Sequence, residues 1–183
     1  MPILRGDVSI WPISNKEADD VFLEKYWLKR KRHSRRLSYA VFWKGAKVAW
    51  VQVADLFGTS LPKQINEFSI GEAIEVCRGY FIDSAPSNIE SCGIAHVLRK
   101  TPNDWYQNFG VVKKIAIIYQ DLDYGQKGIV YKALGFKPIG ETSNGRHYKS
   151  ASRGHSKGRK TIWVRSLRPI SGKHYKINLA IKH

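Results

Sequence analysis

Five residues in the middle of this chain have the types that chemistry needs. Asp121 follows directly on the apolar run 111–119, and a carboxylate there could act as a general base or a metal ligand, or simply form the turn of Asp121-Leu-Asp123-Tyr-Gly125. Ten positions on, Tyr131 stands in an apolar stripe at helical spacing, where the default is a core aromatic with a wet hydroxyl. Tyr119 could stack on an unpaired base or fill the core. Arg78 lies inside an apolar run and needs a partner, either Glu75, Asp83 or Asp121 as an ion pair, or an anion held in a cleft. Ser91 could donate a hydrogen bond to a ligand or be an ordinary helix residue. His96 is alone in its segment and reads as a core or surface histidine. Cys77 and Cys92 have no histidine partner in sequence and read as free buried thiols, too few for a disulfide framework or a four-ligand zinc site.

Charge is the second signal. The 31 Lys and Arg against 15 Asp and Glu leave +16, a field that attracts polyanions, nucleic acid first among them. An anionic membrane surface, or a basic surface with no partner, is the plainer alternative. Two segments hold much of the excess. One is Lys29-Arg30-Lys31-Arg32-His33-Ser34-Arg35-Arg36, with six cations in eight positions. The other, 144–160, spreads Arg146, Lys149, Arg153, Lys157, Arg159 and Lys160 among Gly and Ser, a composition suited to a loop that follows a phosphate backbone. Tyr148 and Trp163 stand with that second run, and aromatics beside cations can stack on bases. No helix-turn-helix, zinc-finger or RNA-recognition signature is present, so contacts should be mostly sequence-independent.

The positioning elements follow from pattern. Residues 3–13 alternate as a first strand, and Ser14-Asn-Lys-Glu17 is a capping box for a helix with Ala18, Val21, Phe22 and Tyr26. Runs 37–42 and 47–56 around Lys44-Gly45 read as a hairpin. Residues 74–82 are a strand with Val76, Arg78 and Tyr80 on one face. Ser87-Asn-Ile-Glu90 is a second capping box, for a helix ending before Pro102. A strand at 111–119, a short helix at 128–134 capped by Gly135, and strands at 136–141 and 161–167 complete the order. The expected fold is a mixed α-β one, a central mixed sheet with helices on both faces, and a crevice where the strands at 74–82 and 111–119 splay near their C-terminal ends. The 183 residues, 43% apolar with six Trp, make one domain over 1–170 and a short basic tail over 171–183. No run is long enough to span a membrane, and the start lacks the apolar stretch of a secretory signal, so a reducing cytoplasm is expected.

The element order resembles the GNAT acyltransferase fold, in which Gly128-Ile-Val-Tyr131-Lys-Ala-Leu-Gly135-Phe136 matches a late helix with a tyrosine facing the cofactor. That resemblance implies Tyr131 as a proton donor or cofactor contact. It also implies an acyl-CoA-type or other small donor, whose pyrophosphate most members hold on a glycine-rich loop. Here that loop is Asp83-Ser-Ala-Pro-Ser-Asn-Ile, without glycine, although the amides from Asn88 onward can still meet an anion. A narrower likeness rests on Glu75-Val-Cys-Arg78, Asn88-Ile-Glu90-Ser91, Tyr119-Gln-Asp121 and Gly125-Gln-Lys-Gly128-Ile-Val-Tyr131, which are similar to the phage Mom family. Those proteins convert adenine in DNA to an N6-carbamoylmethyl form that blocks restriction. The likeness implies double-stranded DNA as partner, Asp121 as proton acceptor or metal ligand, Arg78, Ser91 and Asn88 as donor-binding residues, and Tyr119 and Tyr131 beside the chemistry. The family's early His-Tyr pair is replaced by Lys25-Tyr26-Trp27-Leu28, which leaves Tyr26 to fill any role of that histidine, such as ligating iron. An ordinary N-acetyltransferase of an amine or protein, and a non-catalytic DNA-binding protein, are the rival readings.

Overall fold

Alternating apolar residues and a two-residue Lys44-Gly45 turn, both in the left-handed region at φ 48° and 83°, build the centre of the molecule as an antiparallel hairpin. The structure is a computed structural model that describes residues 5–25, 34–56, 61–62, 65, 67–122, 128–142 and 160–167. Its elements are β1 (Val8–Ile13), α1 (Asn15–Lys25), β2 (Arg36–Trp43), β3 (Ala46–Asp55), β4 (Ala73–Phe81), α2 (Ile89–Phe109), β5 (Ile115–Asp121), α3 (Ile129–Ala133), β6 (Lys137–Glu141) and β7 (Lys160–Ser166). The strands form one sheet in the order β1-β2-β3-β4-β5-β7-β6. Every pairing is antiparallel except β4 with β5. The element order is the one expected.

Two cores sandwich this sheet. Tyr39, Val41, Val51, Ile74, Ala116 and Ile118 face α2, where Ile94, Val97, Leu98 and Trp105 cover them. Gly93 lets α2 approach closely, because a Cβ there would meet Val41 at 3.0 Å. The other face carries Ile115, Ile117, Ile162 and Val164 under Leu56 and Ile65, with α1 lying over β2 and β3.

Four local expectations need correction. The first strand begins at Val8, after a 3-10 turn over Arg5–Asp7. The helix expected to stop before Pro102 runs through it to Phe109 and ends on Gly110, whose N–H donates to Tyr106 O at 2.8 Å. Pro102 removes a backbone bond, but Thr101 Oγ1 donates to Val97 O at 2.8 Å, and the fully buried Trp105, one turn later, locks the second half onto the sheet. The capping box at Ser87 does not form. Asn88 at the helix start has φ 72° and offers no side-chain cap, whereas Ser14 does accept from Glu17 N–H at 3.1 Å in the first box. Finally, Val76 does not share a face with Arg78. Val53 pairs with Val76 but Gln52 pairs with Arg78, so Cys77 is an extra residue and β4 is bulged there.

Lys113 locks the closed end of the β4–β5 pair. Its side chain is fully buried and donates to Asp55 Oδ1 at 2.6 Å, Gly71 O at 2.7 Å and Ala73 O at 3.0 Å. Burial pulls its ammonium below the usual lysine range while Asp55 pulls it back up. Lys113→Met should destabilise the protein by about 3–5 kcal/mol in urea unfolding, since it leaves two carbonyls without their donor and takes the buried cation from Asp55, to which Arg35 stays paired. A change below about 1 kcal/mol would mean that water serves those acceptors equally well.

Candidate active site

The bulge at Cys77 sets the site. β4 and β5 are paired only from Ala73–Glu75 to Ile115–Ile117, yet β4 continues to Phe81 and β5 to Asp121. Beyond that short ladder the two strands are no longer paired, at the C-terminal ends where the sequence pattern leads one to expect a crevice. Edge amides and carbonyls freed by such a splay can receive a ligand main chain.

On the α1 face of the sheet stand Arg78, Tyr119 and Asp121. Arg78 is 4% exposed, with its guanidinium 5.6 Å from the ring centre of Phe22. Its cross-strand neighbour Gln52 is fully buried and donates to Ser38 Oγ at 3.1 Å, which donates to Asn15 Oδ1 at 2.8 Å. This buried polar chain ties the Arg78 wall to the start of α1. Asp121 is 5% exposed, with Oδ2 3.8 Å from Lys160 Nζ across the β5–β7 ladder. It is therefore a buried carboxylate at a strand end and not a solvated turn-former. Tyr119, two residues earlier, lies half-buried on the same face.

On the α2 side stands Tyr131. Its ring lies 5.6 Å from that of Trp163, and Trp163 Nε1 donates to Gln120 Oε1 at 2.7 Å in the core. Trp163, grouped by sequence with base-stacking aromatics, is 4% exposed and is a core residue instead. Gly128, the residue before α3, has φ 66°, and a Cβ there would meet Trp163 at 2.7 Å and Gln120 at 3.1 Å. The Gln120–Trp163–Gly128 arrangement that seats Tyr131 escaped the sequence reading, although a glycine at a helix start was its one visible sign. Ser91 turns its hydroxyl back to Asn88 O at 3.0 Å and lines a groove of about 390 Å³ between α2 and α3 with Cys92, His96, Arg99 and Arg165. Asn88 is exposed. Arg78, Tyr119 and Asp121 thus lie on the α1 face of the sheet, whereas Tyr131 packs in the core on the α2 side and Ser91 lines the groove between α2 and α3.

The cations divide similarly. Arg35 Nε donates to Asp55 Oδ2 at 2.7 Å, and Arg36 Nη2 donates to the buried Asp19 at 2.8 Å, so both are tied into the fold. Lys160 opens β7 beside Asp121. Tyr26, Lys29, Arg30, Lys31 and Arg32, like Arg146, Lys149, Arg153, Lys157 and Arg159, lie outside the described residues, as does the tail.

Neither implied helper group finds a ready cradle. Among the described residues no three His, Cys, Asp or Glu stand together as metal ligands, so Asp121 lacks companions there for iron. The β4–α2 loop presents the exposed Asp83 and Glu90 and no glycine, with Glu90 in the first turn of α2. That sign opposes the helix N-terminus in holding a pyrophosphate.

A family model described as the Mom protein family matches residues 7–180. Among curated proteins nothing matches. Solved structures similar to this chain are acetyltransferases of low identity. A ribosomal-protein-S5-alanine acetyltransferase from Vibrio fischeri aligns with TM-score 0.56 and 10% identity, over 91% of this chain and 96% of that one. A spermidine/spermine N-acetyltransferase from Vibrio cholerae aligns with TM-score 0.55 and 8% identity, over 88% and 94%. An aminoglycoside acetyltransferase in complex with coenzyme A aligns with TM-score 0.54 and 9% identity, over 87% and 94%. The fold is therefore the GNAT fold.

Proposed function

The chain belongs to the Mom protein family, and from that membership we propose that it is a transferase that modifies the N6 amino group of adenine in DNA, in the manner of carbamoylmethylation. The observation that carries the reading is the early end of the β4–β5 ladder, beyond which the buried Arg78 and Asp121 stand on one face of the sheet in a chain of net charge +16. A charge of that sign favours a phosphate polymer over a small cationic amine such as a polyamine.

The chemistry assigns the parts. Adenine N6 is a weak nucleophile because its lone pair is delocalised into the ring, and in a duplex it is also paired. The base must leave the stack, at a cost of a few kcal/mol, before N6 can enter the crevice. N6 then forms the new bond to the donor carbon, the donor's leaving group departs with its electron pair, and N6 gives its proton to the Asp121 carboxylate. Arg78 stabilises negative charge that develops on the donor. Tyr131, across the end of β5 from Asp121, supplies a proton to the leaving group. Lys160, 3.8 Å from the Asp121 carboxylate, is the cation beside it. Tyr119 offers a ring against the extruded base.

The donor is a small molecule. Coenzyme A occupies one of the structural neighbours, but Asp83 and Glu90 make the β4–α2 loop here a poor pyrophosphate site. We assign donor binding to Arg78 in the crevice, with Ser91 and Asn88 at its outer end.

Mass spectrometry of nucleosides from plasmid DNA, taken from cells expressing the protein, should reveal an N6-substituted adenine missing from control DNA. A digest with ordinary adenine only, together with an acetylated amine or protein, would mean that this chain follows its structural neighbours instead. Tight DNA binding with no modified product of any kind would make it a non-catalytic DNA-binding protein.

A further inference from the structure

Four large apolar side chains are well exposed among the described residues: Trp11 at 63%, Tyr106 at 48%, Leu122 at 42% and Ile129 at 67%. A lone exposed aliphatic needs no explanation. Two of these four, however, lie by the C-terminal end of β5, one directly after it and the other beside a residue packed on Gln120. Leu122 is the residue after Asp121. Ile129 is the residue after Gly128, whose backbone rests against Trp163 and Gln120. The fold leaves Ile129 outside by geometry, because its neighbours Val130 and Tyr131 both turn inward and pack on the core. Lys160, which pairs with Asp121, stands at the same strand ends, and it closes the basic run 144–160. This end of β5 therefore presents two aliphatic side chains and the cation Lys160, on a protein whose charge draws it to polyanions.

Removing a base from a duplex leaves a gap in the stack. Proteins that deform DNA commonly insert Leu, Ile, Phe or Met between base steps, exchanging lost stacking for apolar contact. We propose that Leu122 and Ile129 are the wedge that enters the stack as the target adenine swings into the crevice. The proposal rests on the reading of the protein as a DNA adenine transferase, and it makes the substrate an intact duplex that the enzyme opens itself. Both are positioning residues that touch neighbouring bases and not the reacting atoms. The net positive charge of the protein draws the backbone within reach, and the aliphatic pair does the prising.

The test is the double variant Leu122→Ser, Ile129→Ser, which should fold normally because both side chains face solvent. A duplex with 2-aminopurine at the target position should brighten when wild-type protein saturates it, and should brighten far less with the variant. Modification of an intact duplex should fall roughly tenfold or more, a loss within the few kcal/mol that unstacking demands. With an abasic site opposite the target adenine, the base is already loosened, and the variant should work at close to the wild-type rate. Equal rates for variant and wild type on the intact duplex would overturn the wedge while leaving the transferase reading in place. An equal loss on both substrates would also overturn it, since that pattern belongs to a damaged site. If wild-type protein neither brightens the probe nor modifies adenine, it is the transferase reading that has failed.

Discussion

Asp121→Asn is expected to abolish adenine modification while leaving the fold and DNA binding nearly intact. The substitution keeps shape and removes only the basicity and the charge. A positioned general base contributes about a hundredfold to ten-thousandfold, so modified nucleoside should drop below detection in a plasmid assay. Stability should fall by only about 1 kcal/mol, because the partner Lys160 is a third exposed and its 3.8 Å pairing is screened. DNA affinity offers a check on sign. Removing one carboxylate raises the net charge from +16 to +17, so binding should hold or tighten slightly at low salt. A variant that binds DNA, melts like wild type and still modifies adenine would reduce Asp121 to a structural carboxylate. One that loses binding and stability together would place it in the core and not in the chemistry.

How far the sequence revealed this site depends on the range of the interaction involved. The order of strands and helices was legible because it rests on local signals: a capping Ser14, a Lys44-Gly45 turn, apolar periods of two and of nearly four. The point where β4 and β5 cease to pair lies where a strand–helix–strand crossover leads one to expect a ligand. What was lost depended on partners distant in sequence. A period-two reading cannot detect one inserted residue, so the bulge at Cys77, which turns Val76 away from Arg78 and starts the splay, was invisible until β3 lay beside β4. Pro102 was taken as a stop because its local cost is real, and burial of Trp105 outweighs it. Arg35 and Arg36 read as part of a cationic arm, yet Asp55 and Asp19, 20 and 17 positions away, hold them. Nothing local marks Lys113 in the sequence, because its partner Asp55 lies 58 positions back.

The second large effect concerns the residue that seats Tyr131. Gly128→Ala should destabilise the protein by roughly 2–4 kcal/mol, from two separate causes. The left-handed backbone, φ 66°, is costly for any residue with a Cβ. The new methyl would also lie 2.7 Å from Trp163, a rigid ring buried to 4% exposure and held by its bond to Gln120, so neither side can give way cheaply. Gly135→Ala isolates the first cause. Its φ is 74°, but nothing lies within 4 Å of its missing Cβ, and it should cost only about 1–2 kcal/mol. The difference between the two, measured by urea unfolding, reports the overlap alone. Activity should separate them more sharply than stability does. Relief of the overlap pushes α3 outward and carries the Tyr131 hydroxyl away from the end of β5, where a misplacement of about 1 Å can cost a hundredfold in rate. Gly128→Ala should therefore be nearly inactive at temperatures where it is still folded, and Gly135→Ala should modify adenine at close to the wild-type rate. Equal activity in the two variants would mean that Tyr131 need not be held by the Gln120–Trp163 pair, and the proton donor would have to be sought elsewhere on the crevice wall.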